Sequence, residues 1–152
     1  MDKSTRYKTA LALIKSFIGS DGYPMTEIGK MASITSILHR EFTEWPFVGF
    51  YRTIKDGVLE IGPYHGSVLA CGIINFGKGV CGTAAETQKT LIVDNVYKYP
   101  GYISCDSDTR SEIVVPIIRI QTTVAVLDID AVDIGYFDDI DQRYLEEIVS
   151  IL

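Results

Sequence analysis

The sequence has few cysteines, little positive charge and no long hydrophobic run. Its 152 residues include three Cys, 14 Lys or Arg and 20 Asp or Glu, which gives a formal net charge of −6 at pH 7. Nucleic acids and anionic membranes are bound by basic faces, so this balance argues against both as partners. No apolar stretch approaches the roughly 20 residues of a membrane span. Residues 1–6 lack the apolar core of a signal peptide, and we therefore expect a soluble, cytoplasmic protein.

The three cysteines, Cys71, Cys81 and Cys105, do not form a recognisable framework. An odd number in a chain without an export signal is not typical of structural disulfides. Zinc sites use closely spaced Cys or His pairs, whereas the nearest pair here is ten residues apart, so we expect no metal site. Each cysteine adjoins glycine or polar turn residues rather than an apolar run. Two interpretations stay open: buried hydrophobic thiols, or thiols that perform chemistry.

Hydrophobic periodicity predicts an α+β protein with a central antiparallel sheet, formed as one domain over residues 1–152. The predicted helices cover residues 5–18, 26–41 and a final segment from 135. The predicted strands cover residues 47–54, 58–62, 67–74, 90–93, 111–118 and 122–130. A Gly-x-Gly-x-x-Gly sequence at 77–82 leads into a short helix. No βαβ unit with a following acidic residue surrounds it, so we interpret these glycines as tight turns and close packing rather than a dinucleotide site.

Acidic side chains occur where two strands would be expected to be apolar. Because side chains alternate along a strand, Asp128 and Asp130 point the same way, together with Val124 and Val126. If the last two strands pair, Glu112 approaches both aspartates. Mutual repulsion then raises the pKa of at least one carboxyl group, which could act as an acid. The alternative is a strand that simply ends in solvent. The opposite face of this strand is predicted to carry Thr123, Ala125, Leu127 and Ile129.

Four segments together resemble the free methionine-(R)-sulfoxide reductases, which are single GAF domains that act on the free amino acid. They are residues 48–51, 76–85, 111–116 and 126–130, and the resemblance extends over about residues 7–150. It implies a GAF-like fold, with the N- and C-terminal helices packed on one face of the sheet and a small-ligand pocket on the other. It implies reduction of free L-methionine-(R)-S-oxide without a cofactor, and thioredoxin as the reductant.

The resemblance also implies roles for individual residues. Cys105 attacks the sulfoxide and Cys71 resolves the product as a disulfide, while Cys81 is either structural or an alternative resolving thiol. The residues implied to contact the substrate are Glu112, Asp128, Asp130 and Asp94, with Phe47 and Tyr51 as a wall around the methyl group. Phe47 departs from the family, in which this position is usually Trp.

Two alternatives to a reductase remain from the sequence: a non-catalytic GAF-type sensor of a small molecule, and a redox sensor that uses a Cys71–Cys105 disulfide as its signal. Most GAF domains bind ligands without catalysis, so the fold alone does not decide. The three cysteines and the acidic strands favour the enzyme. Apolar positions on the first and last helices also lead us to expect a homodimer.

Overall fold

Four α-helices and a six-stranded sheet form an α+β fold in the computed structural model, which describes residues 2–18 and 24–152. The helices are Lys3–Ile18 (α1), Glu27–Glu41 (α2), Gly79–Thr87 (α3) and Asp139–Val149 (α4). The strands are Phe47–Lys55 (β1), Val58–Gly66 (β2), Ile73–Asn75 (β3), Leu91–Val93 (β4), Ser111–Arg119 (β5) and Thr122–Ala131 (β6). A short 3-10 turn, Val96–Lys98, follows β4.

The sheet is antiparallel throughout, with the strand order β3-β2-β1-β6-β5-β4. The long strands β1 and β6 lie in its centre, where each is paired on both sides. In β5 and β6, Glu112 lies opposite Asp130, as the sequence predicted for these acidic strands. The short strands β3 and β4 form the two edges. Glu112 on β5 and Asp128 and Asp130 on β6 therefore lie near the centre of the sheet, on strands that are paired on both sides.

The helices α1, α2 and α4 cover one face of the sheet. Ile113 of β5, Leu127 and Ile129 of β6 and residues of all three helices belong to one buried core. Local signals place the helix ends: the Thr26 hydroxyl accepts the N–H of Gly29 at the start of α2, and Asp138 forms a capping box with Asp141 at the start of α4. The N- and C-terminal helices thus lie on one face, which confirms the expected layering.

The short helix α3 packs on the opposite face, where its glycines permit close approach. A Cβ atom added at Gly82 would lie 2.2 Å from the carbonyl oxygen of Asn75. Gly79 has φ +60°, and an added Cβ would lie 3.1 Å from the side chain of Ile103. These positions confirm that the glycine-rich sequence serves turns and packing. They also bring Cys81, on α3, directly against the sheet.

Residues 67–74 do not form the single strand that the sequence predicted. Only Ile73–Asn75 pairs with β2, and residues 67–72 lie outside the regular strands. The N–H of Ser67 donates to the carbonyl of Pro46, and Cys71 is bonded to Cys105. Tertiary contacts therefore draw this segment over the sheet instead of along its edge, although its composition favours a strand.

A bulge in β6 changes the predicted alternation at its first residues. Ile117 pairs with Ala125 and Ile118 with Thr123, which leaves Val124 as an extra residue. Val124 packs on the helical face, and the hydroxyl of Thr123 donates to the carbonyl of Ala85 on the opposite side. The predicted faces are therefore correct from Ala125 onward and wrong for Thr123 and Val124.

Helical spacing predicts one apolar face for α2, and the structure shows that this prediction is partly wrong. The predicted face consists of Ile28, Met31, Ala32, Thr35, Leu38 and Phe42. Ile34 is fully buried and Ile37 is largely so, whereas Ile28 is 43% exposed and Ala32 lies on the exposed side. The residues of α2 that are buried against the sheet and α1 therefore differ in part from the predicted apolar face. None of the helices within residues 2–18 and 24–152 has the length and hydropathy needed to cross a membrane.

Candidate active site

A small cavity opens on the sheet face that carries α3. Its floor is formed by β1, β5 and β6, one wall by α3, and its rim by residues 68–70 and 102–106. The lining side chains with chemical function are Cys81, Cys105, Asp106, Glu112, Asp128, Asp130, Tyr51 and Tyr102. A thiol and several carboxyl groups thus share one small hollow, on the face where the sequence led us to expect a ligand pocket.

Two of the three cysteines are joined at the rim of this cavity. Cys71 and Cys105 form a disulfide across a sequence separation of 34 residues, with Cα atoms 5.5 Å apart. Cys105 is exposed and Cys71 is half-buried. Both lie on segments without regular secondary structure, so the chain can accommodate the formation and breaking of this bond more easily than a strand could.

Cys81 differs from the other two cysteines in burial. Its thiol is free and the residue is only 4% exposed, on the wall formed by α3. Burial raises the pKa of Cys81 well above its ordinary value, and the neighbouring carboxyl groups of Asp128 and Glu112 raise it further. The Cys81 thiol is therefore held protonated and unreactive.

Three buried carboxyl groups form the floor of the cavity. Glu112 lies opposite Asp130 across the β5–β6 pair, and Asp128 lies two residues from Asp130 on the same face. Glu112, Asp128 and Asp130 are 5%, 7% and 9% exposed. One oxygen of Asp128, Oδ1, is buried without a hydrogen-bond partner among the described residues. A buried acceptor left without a donor is costly, so this oxygen is available for a ligand.

The pKa values of all three carboxyl groups are raised. Burial is the first cause of the elevated pKa of Glu112, and repulsion from Asp128 and Asp130 adds to it. The pKa of Asp130 is raised well above its ordinary value, by burial and then by Asp128 and Asp106. Burial raises the pKa of Asp128 to about 6, although contacts with Cys81 and Glu112 oppose the shift. Burial and mutual repulsion therefore favour the protonated forms of these carboxyl groups, and a protonated carboxyl group is what acid catalysis requires.

Aromatic side chains line the side of the cavity next to β1. Phe47 and Tyr51 are each 2% exposed, and the Phe47 ring packs against Tyr51 and Tyr64 with centroids 6.5 and 5.5 Å apart. Burial, followed by repulsion from Asp128, raises the pKa of Tyr51, so its phenol stays neutral. Phe47 and Tyr51 both line the cavity, and their role as a wall around the substrate methyl group stays a prediction.

The loop that carries Cys105 is held by the side chain of Asp106. Asp106 Oδ1 accepts the N–H groups of Asp108 and Thr109 at 2.6 and 2.9 Å. Asp106 Oδ2 accepts the hydroxyl of Thr109 at 2.6 Å. Neither Asp106 nor Thr109 is among the site residues predicted from the sequence. The hydrogen bonds within this turn were nevertheless predictable, since an Asp that begins a polar turn often accepts the N–H groups that follow it.

Asp94 is the one predicted contact residue that the structure separates from the others. It is exposed and follows the edge strand β4, where it lines a different groove together with Lys98 and Ile134. Its backbone carbonyl accepts the N–H of Gly135. Asp94 therefore does not line the cavity that contains Cys105.

The structure also assembles a group of metal-binding side chains that the cysteine spacing did not indicate. One ligand atom each from Cys81, Glu112 and Asp128 lie within 4.8 Å of one another, and all three residues are buried. A cation would need them deprotonated, whereas burial favours their neutral forms. The distances between these ligand atoms would permit a metal ion, but the burial that favours their protonated forms opposes metal binding.

The raised carboxyl pKa values predict that the protein loses stability as the pH rises. In the unfolded chain Asp128 ionises near its ordinary pKa of 3.8, and in the folded protein near about 6. Its contribution is therefore fully present below the unfolded pKa and lost as pH rises through the folded value. We expect the free energy of unfolding of the oxidised protein to include a fall of about 2 kcal/mol from this group between pH 4 and pH 8. Urea denaturation of wild type and Asp128→Asn measures it, and equal pH slopes in both proteins would contradict the assignment.

Comparison with known proteins identifies the family. The GAF domain family matches residues 31–152. A free methionine-R-sulfoxide reductase of Saccharomyces cerevisiae is 50% identical over 109 residues, which are 70% of this chain and 60% of the relative. A free methionine-R-sulfoxide reductase of Escherichia coli is 34% identical over 82% of this chain and 74% of its own length. The crystal structure of the Neisseria meningitidis free methionine-R-sulfoxide reductase in complex with its substrate is 35% identical and superposes with a TM-score of 0.92, covering 99% of this chain and 88% of that one. The chain therefore belongs to the GAF-domain family, in the group of free methionine-R-sulfoxide reductases, which are oxidoreductases.

Proposed function

We propose that the chain reduces free L-methionine-(R)-S-oxide to L-methionine with Cys105 as the nucleophile. The observation that carries the proposal is the cavity itself, in which a disulfide-forming cysteine at the rim faces three buried carboxyl groups on the floor. Membership of the reductase group supports the same substrate. The substrate is a small zwitterion with a polar sulfoxide, which matches a small, acidic and partly aromatic hollow.

Sulfoxide reduction requires a soft nucleophile and a proton donor. In the proposed reaction the Cys105 thiol loses its proton to solvent, and its thiolate attacks the sulfoxide sulfur. A carboxyl group of the cavity gives a proton to the sulfoxide oxygen as the sulfur–oxygen bond breaks. The hydroxyl group passes from the methionine sulfur to the Cys105 sulfur, so that a Cys105 S–O bond forms. The bond between the two sulfurs breaks with its electron pair returning to methionine, which leaves Cys105 as a sulfenic acid. The elevated pKa values of Glu112 and Asp130 support this donor role, since burial and repulsion between the acids favour the protonated form of both carboxyl groups.

Recycling requires a second thiol. We propose that Cys71 condenses with the sulfenic acid, releasing water and forming the disulfide that the two residues make here. An external dithiol, which we expect to be thioredoxin, then reduces this bond by exchange. The exposure of Cys105 supports access for the reductant, and the burial of Cys81 supports a structural role for that thiol. Such recycling needs a reducing compartment, so we expect the protein to act in the cytoplasm.

Selection of the free amino acid follows from charge. Free methionine sulfoxide carries an ammonium group that a residue within a peptide lacks. The ammonium group of the free amino acid can donate a hydrogen bond to a buried acceptor such as Asp128 Oδ1. A peptide substrate has no such group and would leave this oxygen without a partner. Phe47 and Tyr51 supply apolar surface for the methyl end. We propose that this pairing of acids and aromatic rings selects the free form.

The function is tested by following methionine release from separated substrates. Reduced protein is incubated with the R and S epimers of methionine sulfoxide, each as the free amino acid and within a short peptide, with a dithiol as reductant. We expect release from the free R epimer alone. A protein that forms its disulfide with peroxide as readily as with the sulfoxide, and releases no methionine, would instead be a redox sensor. Binding of the free R epimer without its consumption would indicate a non-catalytic module.

A further inference from the structure

Exposed aliphatic side chains flank the disulfide between Cys71 and Cys105. Leu69, two residues before Cys71, is 82% exposed, and Ile73, two residues after it, is 53% exposed. Ile103, two residues before Cys105, is 38% exposed, and it lines the rim of the cavity together with Leu69. Two residues span at most about 7 Å of extended chain, so each of these side chains begins close to the bond. Both halves of the disulfide therefore carry exposed apolar surface.

The two segments that the disulfide joins also lack charged residues. Residues 66–77 and residues 99–105 contain no Lys, Arg, Asp or Glu, although the whole chain has a formal net charge of −6. Isolated apolar residues are common on protein surfaces and by themselves need no explanation. Here three of them lie on uncharged segments, next to a bond that an external thiol must reach in the proposed cycle. This combination indicates a contact surface.

Reduction of the disulfide by a protein brings two surfaces together. A thiolate of the reductant attacks one sulfur of the Cys71–Cys105 bond, a mixed disulfide forms, and the other cysteine leaves as a thiolate. The second thiol of the reductant then attacks the mixed disulfide, so the reductant becomes a disulfide and both cysteines of this chain become thiols. Two electrons and two protons pass from the dithiol to this chain in all. While the mixed disulfide exists, the residues beside it are covered by the reductant.

We propose that Leu69, Ile73 and Ile103 form a docking surface for a protein dithiol whose attacking thiol is surrounded by uncharged, apolar residues, an inference that rests on the proposed reductase function. Apolar side chains that leave water at such an interface favour association whatever the charge of the partner. Uncharged segments beside the bond also spare an acidic reductant close contact with like charges. A small dithiol attacks the same bond without covering Leu69, so the surface favours a protein reductant over a small one.

The test compares reduction of the preformed disulfide by a protein and by a small molecule. Oxidised wild type and Leu69→Ser are treated with thioredoxin or with dithiothreitol, in the absence of methionine sulfoxide, and the free thiols are counted by alkylation and mass spectrometry. We expect Leu69→Ser to lower the second-order rate constant with thioredoxin about tenfold, because an exposed apolar anchor is lost. The rate constant with dithiothreitol should change by less than about twofold. Ile73→Ser should act in the same direction, and Leu69→Met, which keeps an apolar side chain, should react as wild type does.

Ile120→Ser is the matched control, since Ile120 is 98% exposed on the turn between β5 and β6 and is not among the residues that line the cavity. It should react with thioredoxin as wild type does. Equal thioredoxin rates in wild type and Leu69→Ser would overturn the docking surface. A parallel loss with dithiothreitol would also overturn it, because Leu69 would then act on the disulfide itself.

A separate measurement distinguishes failure of the docking surface from failure of the function. Wild type is supplied with free methionine-(R)-sulfoxide and dithiothreitol, and methionine release is quantified. Normal release beside equal thioredoxin rates in wild type and Leu69→Ser would overturn the docking surface alone and uphold the reductase. Absence of methionine release by wild type would overturn the proposed function and, with it, the inference that rests on it.

Discussion

Cys105→Ser is expected to abolish the release of methionine from free methionine-(R)-sulfoxide. The serine hydroxyl has a far higher pKa and is a hard nucleophile, so it cannot attack sulfur at neutral pH. We expect kcat/KM to fall by more than about 1,000-fold, because no other reactive thiol is held at the rim of the cavity within the described residues. NADPH oxidation coupled through thioredoxin and its reductase measures turnover, and direct quantification of methionine measures the first cycle.

The control for this experiment is the loss of the disulfide itself. Cys71→Ser removes the same bond as Cys105→Ser but leaves the proposed nucleophile in place. A difference between the two variants in single-turnover methionine release therefore reports nucleophilicity rather than cross-linking. Near-normal release by Cys105→Ser would move the nucleophile elsewhere, first to Cys81, which lines the same cavity.

Cys71→Ser is expected to retain one turnover and to lose recycling by thioredoxin. After the first cycle Cys105 carries a sulfenic acid, and without a neighbouring thiol no intramolecular disulfide forms. We expect about one equivalent of methionine per protein, followed by a steady-state rate with thioredoxin that is lower by at least about 100-fold. Rapid-quench measurement of methionine gives the amplitude, and trapping with dimedone detects the accumulated sulfenic acid.

The result for Cys71→Ser also decides the role of Cys81. Cys81 is 4% exposed and its pKa is raised well above the ordinary value by burial, so it should condense slowly with a sulfenic acid at the rim. Undiminished recycling in Cys71→Ser, with a disulfide between Cys81 and Cys105 found by mass spectrometry, would assign the resolving role to Cys81 instead.

Much of the site could be predicted from local pattern. Alternation along β6 and the acidic start of β5 were sufficient to bring Glu112, Asp128 and Asp130 together, since pairing of consecutive strands fixes which side chains share a face. The resemblance to the reductases contributed the roles of the cysteines, and the Cys71–Cys105 disulfide agrees with the pairing it implied. The homodimer, the single domain over residues 1–152 and the roles of the individual site residues stay predictions.

Other features depended on contacts between distant parts of the chain. Residues 67–72 have the composition of a strand, but in the structure residues 68–70 line the cavity and Cys71 is bonded to Cys105. Asp94 is one of 20 acidic residues in the sequence, and only the structure shows that it lines a different groove from the cavity. The hydrogen bond between Asp106 and Thr109 was open to prediction as a local turn.

The sequence by itself determined the α+β class, the order of helices and strands, the two-faced character of β6 and the family of the chain. These features depend on local periodicity and short motifs, which can be recognised in the sequence without knowledge of the folded structure. The tertiary structure alone decided the depth of the acid cluster, the bulge at Val124, the path of residues 67–72 and the exclusion of Asp94 from the cavity. The pKa shifts belong to this second group, because burial and charge proximity exist only once separate strands and loops have packed together.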